Sequence, residues 1–208
     1  LQPAYRLGAL AFFFLTQTTY QPSTADTRLH QWNPDTNYGS DTDIGILAGT
    51  NGNRTNGIYR FDISDIPNGA TFSQGDLSLY QHETISYSST IYMYRLTRTD
   101  WVESQATWNI YKTGSNWTTA GGDYTTTNGV SITVPTTVQW NTWSASQLIQ
   151  DCYDNQSKNV HLIGRSNTLQ DSSGGYFYSR EYTADTTKRP KLTVTYTVPA
   201  NSNFFPFF

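Results

Sequence analysis

Sixteen carboxylates and three histidines are the side chains of this 208-residue sequence best suited to moving protons or holding metals. Hydrolysis of a glycan needs two carboxylates held roughly 5–9.5 Å apart across the scissile bond, and Asp100, Glu103 and Glu181 qualify by type. Sixteen acids offer many such pairs, so residue type alone singles out none of them. His30, His82 and His161 are widely separated, and no HExxH pair, G-x-S-x-G elbow or Cys–His arrangement is identifiable by spacing. No catalytic set emerges, and the chain is expected not to be an enzyme.

Binding chemistry is better represented. The stretch from Asp35 to Asp43 places Asp35, Asn37, Asp41 and Asp43 close together, an oxygen-rich set of the kind calcium requires. It does not fit an EF-hand loop, because the sixth and twelfth positions counted from Asp35 are Ser40 and Ile46, where Gly and Glu are needed. A polar turn held by Asx hydrogen bonds is the competing reading, so calcium stands as the one candidate cofactor and no other is implied. Tryptophan and tyrosine rings could stack on sugars, as apolar surfaces with polar rims do. Trp117, in the glycine-flanked stretch TGSNWTTAGGDY, is the expected exposed platform, with Tyr111 and Tyr124 near it in sequence.

The elements that must position these residues are strands. Charged residues make up only 14% of a chain rich in Thr, Ser, Asn, Tyr and Gly, a texture that favours short strands and polar turns over helices. Tyr59, Phe61 and Ile63 alternate with Arg60 and Asp62, and Ile66-Pro67-Asn68-Gly69 turns the chain before Leu77 and Leu79 resume the period of two. Further strands are expected over Thr90–Thr97, Val130–Val134, Val138–Trp143, Val160–Arg165, Tyr176–Tyr182 and Lys191–Val198. In the last of these Leu192, Val194, Tyr196 and Val198 share one face and three threonines the other. Only Ser144–Asn155 has helical spacing, with Leu148, Ile149, Cys152 and Tyr153 on one stripe and Ser144 or Ser146 as N-cap.

A net charge of −3 gives no basic field for phosphate backbones, so nucleic acid is not an expected partner. The single cysteine, Cys152, rules out an intrachain disulfide and a zinc cluster built on cysteines. The apolar run Leu7–Leu15 is shorter than the roughly 20 residues a membrane-crossing helix needs, and is expected to be a retained structural segment. Both ends carry contiguous aromatic and aliphatic residues: Leu10, Phe12, Phe13 and Phe14 at one, Phe204, Phe205, Phe207 and Phe208 at the other. Such residues mark contact surfaces, whether they bury themselves in the chain's own core or on a neighbouring subunit.

Five blocks in the middle of the chain, Asn33–Gly39, Tyr59–Tyr80, Tyr94–Asn109, Trp140–Gln150 and Phe177–Tyr196, resemble in content and order the DNRLRE domain family. That resemblance implies a jelly-roll module of the kind found in secreted adhesion or carbohydrate-binding proteins and in phage decoration or fibre proteins, with no catalytic residues to carry over. It also places Trp101, Trp108 and Trp140 in framework blocks. Arg180 and Glu181, read as neighbours on one strand, face opposite ways and need separate partners, while Asp100, Trp101 and Glu103 form a turn before Trp108.

The expected fold is therefore an all-β antiparallel sandwich of jelly-roll type with one short helix: an N-terminal assembly arm over 1–28, the sandwich over 29–198 and an aromatic tail over 199–208. The leading functional expectation is a structural protein of a virion surface, a bacteriophage capsid decoration or fibre subunit, docked through its arms on neighbouring copies or other subunits of a particle or filament. The alternative is a secreted or cell-surface glycan-binding module, or a filament subunit joined by donor-strand-like contacts. Neither places a span in the membrane.

Overall fold

The computed structural model describes residues 14–49, 53–167 and 173–199. The strands are β1 (Phe14–Tyr20), β2 (Ala25–His30), β3 (Asp43–Ala48), β4 (Arg54–Asp62), β5 (Thr71–Gln81), β6 (Ser89–Leu96), β7 (Ile110–Lys112), β8 (Ser115–Asn116), β9 (Tyr124–Val134), β10 (Gln139–Ser144), β11 (Asn159–Ser166), β12 (Gly174–Tyr178) and β13 (Lys191–Val198). One helix, α1 (Ser146–Asn155), and a single 3₁₀ turn over Thr186–Lys188 complete the described elements.

Eleven strands form one continuous antiparallel sheet in the order β1-β13-β5-β12-β3-β4-β11-β6-β9, with β10 added to β5 and β2 to β4. The sheet doubles over where β3 meets β4, a junction of only two residue pairs, Leu47 with Thr55 and Ala48 with Arg54. The front layer is thus β1, β13, β5, β10, β12 and β3, and the back layer β2, β4, β11, β6 and β9. Between them the period-two residues of both layers meet: Leu77, Leu79, Trp143, Phe177, Leu192 and Val194 from the front pack with Tyr59, Phe61, Ile91, Met93, Val160 and Leu162 from the back. The expected antiparallel sandwich is what forms.

Helix α1 closes one end of this core with Leu148, Ile149, Cys152 and Tyr153 buried, as its spacing predicts. Gly75 lets it approach β5, since a Cβ there would lie 2.9 Å from Ile149 Cγ1. The helix starts differently from expectation. Ser144 is the last residue of β10, and the cap position falls on Ala145, which has no side-chain oxygen to offer. Strand pairing of Ser144 with Asp76 holds that residue in the sheet.

A second apolar layer lies outside the back sheet. The 27 residues from 97 to 123, including the β7–β8 hairpin, fold over its outer face, and Trp101, Trp108, Tyr111 and Trp117 bury Ala25, Leu29, Ile58 and Ile163. Gly121, at φ +91°, is needed under this cover: a Cβ would come within 2.6 Å of the Trp108 ring. The middle of the back sheet is consequently buried on both faces, while its edge strand β9 stays largely exposed and the front sheet is buried on one face.

Residues 14–28 were expected in the N-terminal arm. The structure instead pairs β1 with β13 and β2 with β4, so this stretch belongs to the sandwich. Charged and polar residues obscured β2: Asp26, Arg28 and His30 alternate on one face where an apolar set would announce a strand, and Asp26 and Arg28 find partners in other segments of the chain.

Candidate functional site

Aromatic side chains meet solvent in quantity on the outer face of the front sheet. Alternation along β5 turns Leu77, Leu79 and Gln81 inward and Tyr80 outward; Trp140 of β10 is its direct cross-strand partner, and Tyr178 of β12 points the same way because Phe177 points in. The rings of Trp140 and Tyr80 meet edge to face at 5.3 Å, Tyr80 and Tyr178 are parallel at 5.9 Å, and Tyr178 stacks on Tyr182 at 3.5 Å. His82 stacks on Tyr178 at 4.5 Å. All five are partly exposed, forming an aromatic ridge across β10, β5 and β12 and into the turn that follows.

Two lysines are fixed against the ridge. Lys191 Nζ lies 4.1 Å from the centre of the Trp140 ring and Lys188 Nζ 4.9 Å from that of Tyr80, the geometry of cation–π contacts. The turn that carries Lys188 is held by Asp185, whose carboxylate accepts hydrogen bonds from the Thr187 N–H at 3.1 Å and hydroxyl at 2.6 Å. The hydrogen bond between Tyr178 and Tyr182, then burial, raises the Tyr178 phenol to about 12, so the Tyr178 hydroxyl stays protonated near neutrality. The ridge therefore offers apolar ring surface, hydroxyl donors and cationic ends in one band.

The platform residues expected from sequence lie elsewhere. Trp117 and Tyr111 are 4% and 8% exposed, so neither presents a ring face to solvent. Both pack in the cover over the back sheet, 5.5 Å apart, and Trp117 Nε1 donates to the Thr107 carbonyl at 2.9 Å. The glycine-flanked stretch looks like a loop tip, but it folds back because its tryptophan fills the second core. Tyr124 is half-buried, stacked on Tyr94 at 5.2 Å, with its hydroxyl accepting from Arg165. Conversely Trp140, expected as framework, is on the ridge. The period-two pattern of QWNTWS, with Trp143 inward and Trp140 on the other parity, was the available signal.

The four residues of the acidic loop do not converge on one another. Arg28 donates to Asp41 at 2.6 Å and Asp43 at 3.0 Å, so a guanidinium stands between those two carboxylates. Asp35 accepts from Asn109 Nδ2 at 2.8 Å. Asn37 makes the Asx turn, accepting from the Gly39 N–H at 3.1 Å, and donates to the carbonyls of Glu103 and Ala106, both at 2.7 Å. These bonds stitch the loop to the cover of the back sheet.

Among the described residues one trio of acids does converge, Asp26, Glu103 and Glu181, with one carboxylate oxygen from each within 4.8 Å of the others. Arg180 supplies positive charge there: its Nη1 is 2.9 Å from Glu103 and its Nε 3.7 Å from Glu181. The expectation that Arg180 and Glu181 face apart fails because β12 ends at Tyr178 and both residues lie in the turn beyond it. Burial pushes the Asp26 carboxyl up to about 8 and Glu181 is raised for the same reason, with neighbouring acids adding to both. This knot ties β2, the cover and the turn after β12 together.

Phe14, the only described residue of the two aromatic ends, opens β1 opposite Val198 and is 73% exposed. Leu10, Phe12, Phe13, Phe204, Phe205, Phe207 and Phe208 lie outside the described residues. No helix among the described residues is long and apolar enough to cross a membrane.

No curated protein matches the chain significantly. The model of a carbohydrate-binding module family does, from within β1 to within β13, and it bears on the same sandwich that carries the ridge. With residues 17–196 matched, the chain belongs to carbohydrate-binding module family 96.

Proposed function

We propose that the chain is a glycan-binding module of an extracellular or surface protein, and that it holds a carbohydrate chain along the ridge formed by Trp140, Tyr80, Tyr178 and Tyr182. The observation that carries this is the bare outer face of the front sheet. A sandwich has no folding reason to leave a band of stacked rings half-exposed there, whereas a sugar chain offers alternating apolar C–H patches and hydroxyls that such a band matches. The family match favours this over a particle subunit as the primary role. A glycan array tests it: the folded chain is expected to retain oligosaccharides, and the Trp140→Ala and Tyr182→Ala variants to lose at least about tenfold in affinity, as removal of central aromatic contacts does. No retention above background by the intact protein would sink the proposal.

One observation keeps assembly as a second role. β1 is an edge strand among the described residues, FLTQTTY contains no charge or proline to discourage pairing, and Phe14 and Leu15 are 73% and 69% exposed. Docking of a neighbouring subunit on this edge fits a surface filament or particle. Sedimentation of the full chain beside Leu15→Lys decides it: an oligomer reduced by the charge supports the edge contact, and an unchanged distribution removes it.

A further inference from the structure

The cover over the back sheet is incomplete, and what it leaves open is a polar cleft of about 440 Å³ between the starts of β2 and β11, the end of β4 and the turn after α1. Its walls include Thr24, Arg60, Asp62, Asn155, Asn159 and His161. Strand register aligns them: Asn159 is directly opposite Asp62, and His161 opposite Arg60, so two alternate rungs of the β4–β11 ladder, separated by the inward Val160–Phe61 rung, project onto one floor. Its size lies in the range of roughly 300–1,000 Å³ found for small-molecule sites.

Three features set this cleft apart from an ordinary surface depression. Arg60 is held with its guanidinium carbon 5.3 Å from the centre of the Trp101 ring, yet among the described residues that guanidinium makes no ion pair and no hydrogen bond. An arginine oriented by stacking and left with its donor fork unused is prepared for a ligand. His161 is second. Its Nδ1 accepts a hydrogen bond from Trp101 Nε1 at 2.9 Å, which places the hydrogen of the neutral ring on Nε2, and burial, with Arg60 nearby, keeps the ring neutral down to about pH 4. Third, the lining residue Ser157 and the next residue, Lys158, are consecutive non-glycine residues at φ +51° and +60°, a left-handed pair that costs free energy and is held by Lys158 Nζ donating to the Ile66 carbonyl at 2.6 Å.

The chemistry of the walls selects among ligands. One cation, Arg60, faces one carboxylate, Asp62, and the rest are amides, hydroxyls and a neutral imidazole, so donors and acceptors alternate with little net charge. An anion, able only to accept, would meet Asp62 and the amide oxygens as well as Arg60. A ring of hydroxyls, each both donor and acceptor, satisfies both kinds of group. We infer that this cleft is a second carbohydrate site, taking one neutral sugar residue, on the opposite layer of the sandwich from the ridge. The inference rests on the glycan-binding reading of the chain, though not on where the ridge binds. Two sites on opposite layers would let one module bridge two glycan chains and gain avidity without new contacts.

Amide-resolved NMR of the full chain, titrated with neutral gluco-, manno-, galacto- and xylo-configured trisaccharides and separately with sulfate, tests the inference. At least one trisaccharide is expected to shift the backbone amides of 157–161 and the side-chain amides of Asn155 and Asn159 saturably, in wild type and equally in Trp140→Ala. Arg60→Gln, which removes the charged fork, and Asn159→Ala, a milder change on the same floor, should each weaken that response, the former by at least about tenfold. Shifts confined to the ridge would overturn the cleft while leaving the proposed function intact. Shifts in the cleft that persist in Arg60→Gln, or a response to sulfate alone, would overturn it too. Cleft shifts with none at the ridge would support the inference and move the main site.

Discussion

The two outer faces of the sandwich carry the same residue types and use them in opposite ways. Over the back sheet, tryptophans and a tyrosine from 97–123 turn inward and become a second core, with Trp101 only 1% exposed. On the front sheet Trp140, Tyr80, Tyr178 and Tyr182 stand in a stacked band with no cover among the described residues. The difference is one long connection. Where the chain between β6 and β9 was long enough to fold over a face, aromatics became structure, and where β10 follows β9 after four residues, no chain was available to cover them. Aromatic content therefore points to binding only after one knows which face is covered.

The largest effects should separate the faces cleanly. Trp117→Ala empties a ring from the cover, removing its apolar burial and its hydrogen bond to the Thr107 carbonyl. A loss of about 3–5 kcal/mol in denaturant unfolding is expected, as for other buried tryptophans. Trp140→Ala, on the ridge, should cost about 1 kcal/mol or less while reducing glycan retention. If the two substitutions destabilise equally, the ridge is core and the contrast between the faces is lost.

The buried acids at the seam of the cover give the next effect, and it depends on pH. Asp26 has its folded value raised from 3.8 to about 8, so the stability it contributes is complete below about pH 4 and declines as pH rises through 8. His161 runs the other way: its folded value is lowered from 6.5 to about 4, so its contribution is present above 6.5 and lost as pH falls toward 4. Between these limits the two slopes oppose each other. Above pH 6.5 His161 no longer opposes Asp26, and the Asp26 contribution should fall by about 2 kcal/mol from pH 6.5 to 8, one proton over one and a half pH units. Asp26→Asn, which keeps an acceptor for Ser23 and the Arg180 N–H, should flatten that fall. Thermal unfolding across the window checks it; an unchanged slope in the variant would show that another group titrates.

How much of this could be read beforehand follows from what each residue's role depends on. The strand Lys191–Val198 was legible end to end because one face meets the core and alternation records it. The buried stripe of α1 was legible for the same reason. β2 was not, since the buried Asp26 and half-buried Arg28 are held by ion pairs and hydrogen bonds to residues as far as 154 positions away, which no local pattern encodes. The ridge was half legible. Parity assigns Tyr80, Trp140 and Tyr178 to outward faces, but whether an outward face is bare or covered depends on where a distant loop lands. Trp117 was misplaced for that reason: its neighbours look like an exposed turn, and only the packing of 97–123 against Ile58 and Ile163 buries it.

The smallest effect probes whether the bare face is organised or merely uncovered. Lys191 sits 4.1 Å over the Trp140 ring, and an exposed cation–π contact of this kind contributes about 0.5–1 kcal/mol. Lys191→Met keeps most of the apolar stem on the ring and removes only the charge, so unfolding free energy should drop by no more than that amount. If the lysine does nothing beyond capping the ring, affinity for a neutral oligosaccharide should be unchanged within about twofold. A larger loss would mean that the ammonium hydrogen-bonds the ligand directly. The ridge would then be a site in which the cations select orientation, as the polar groups of other mostly apolar sites do, and the contrast with the covered face would extend from burial to chemistry.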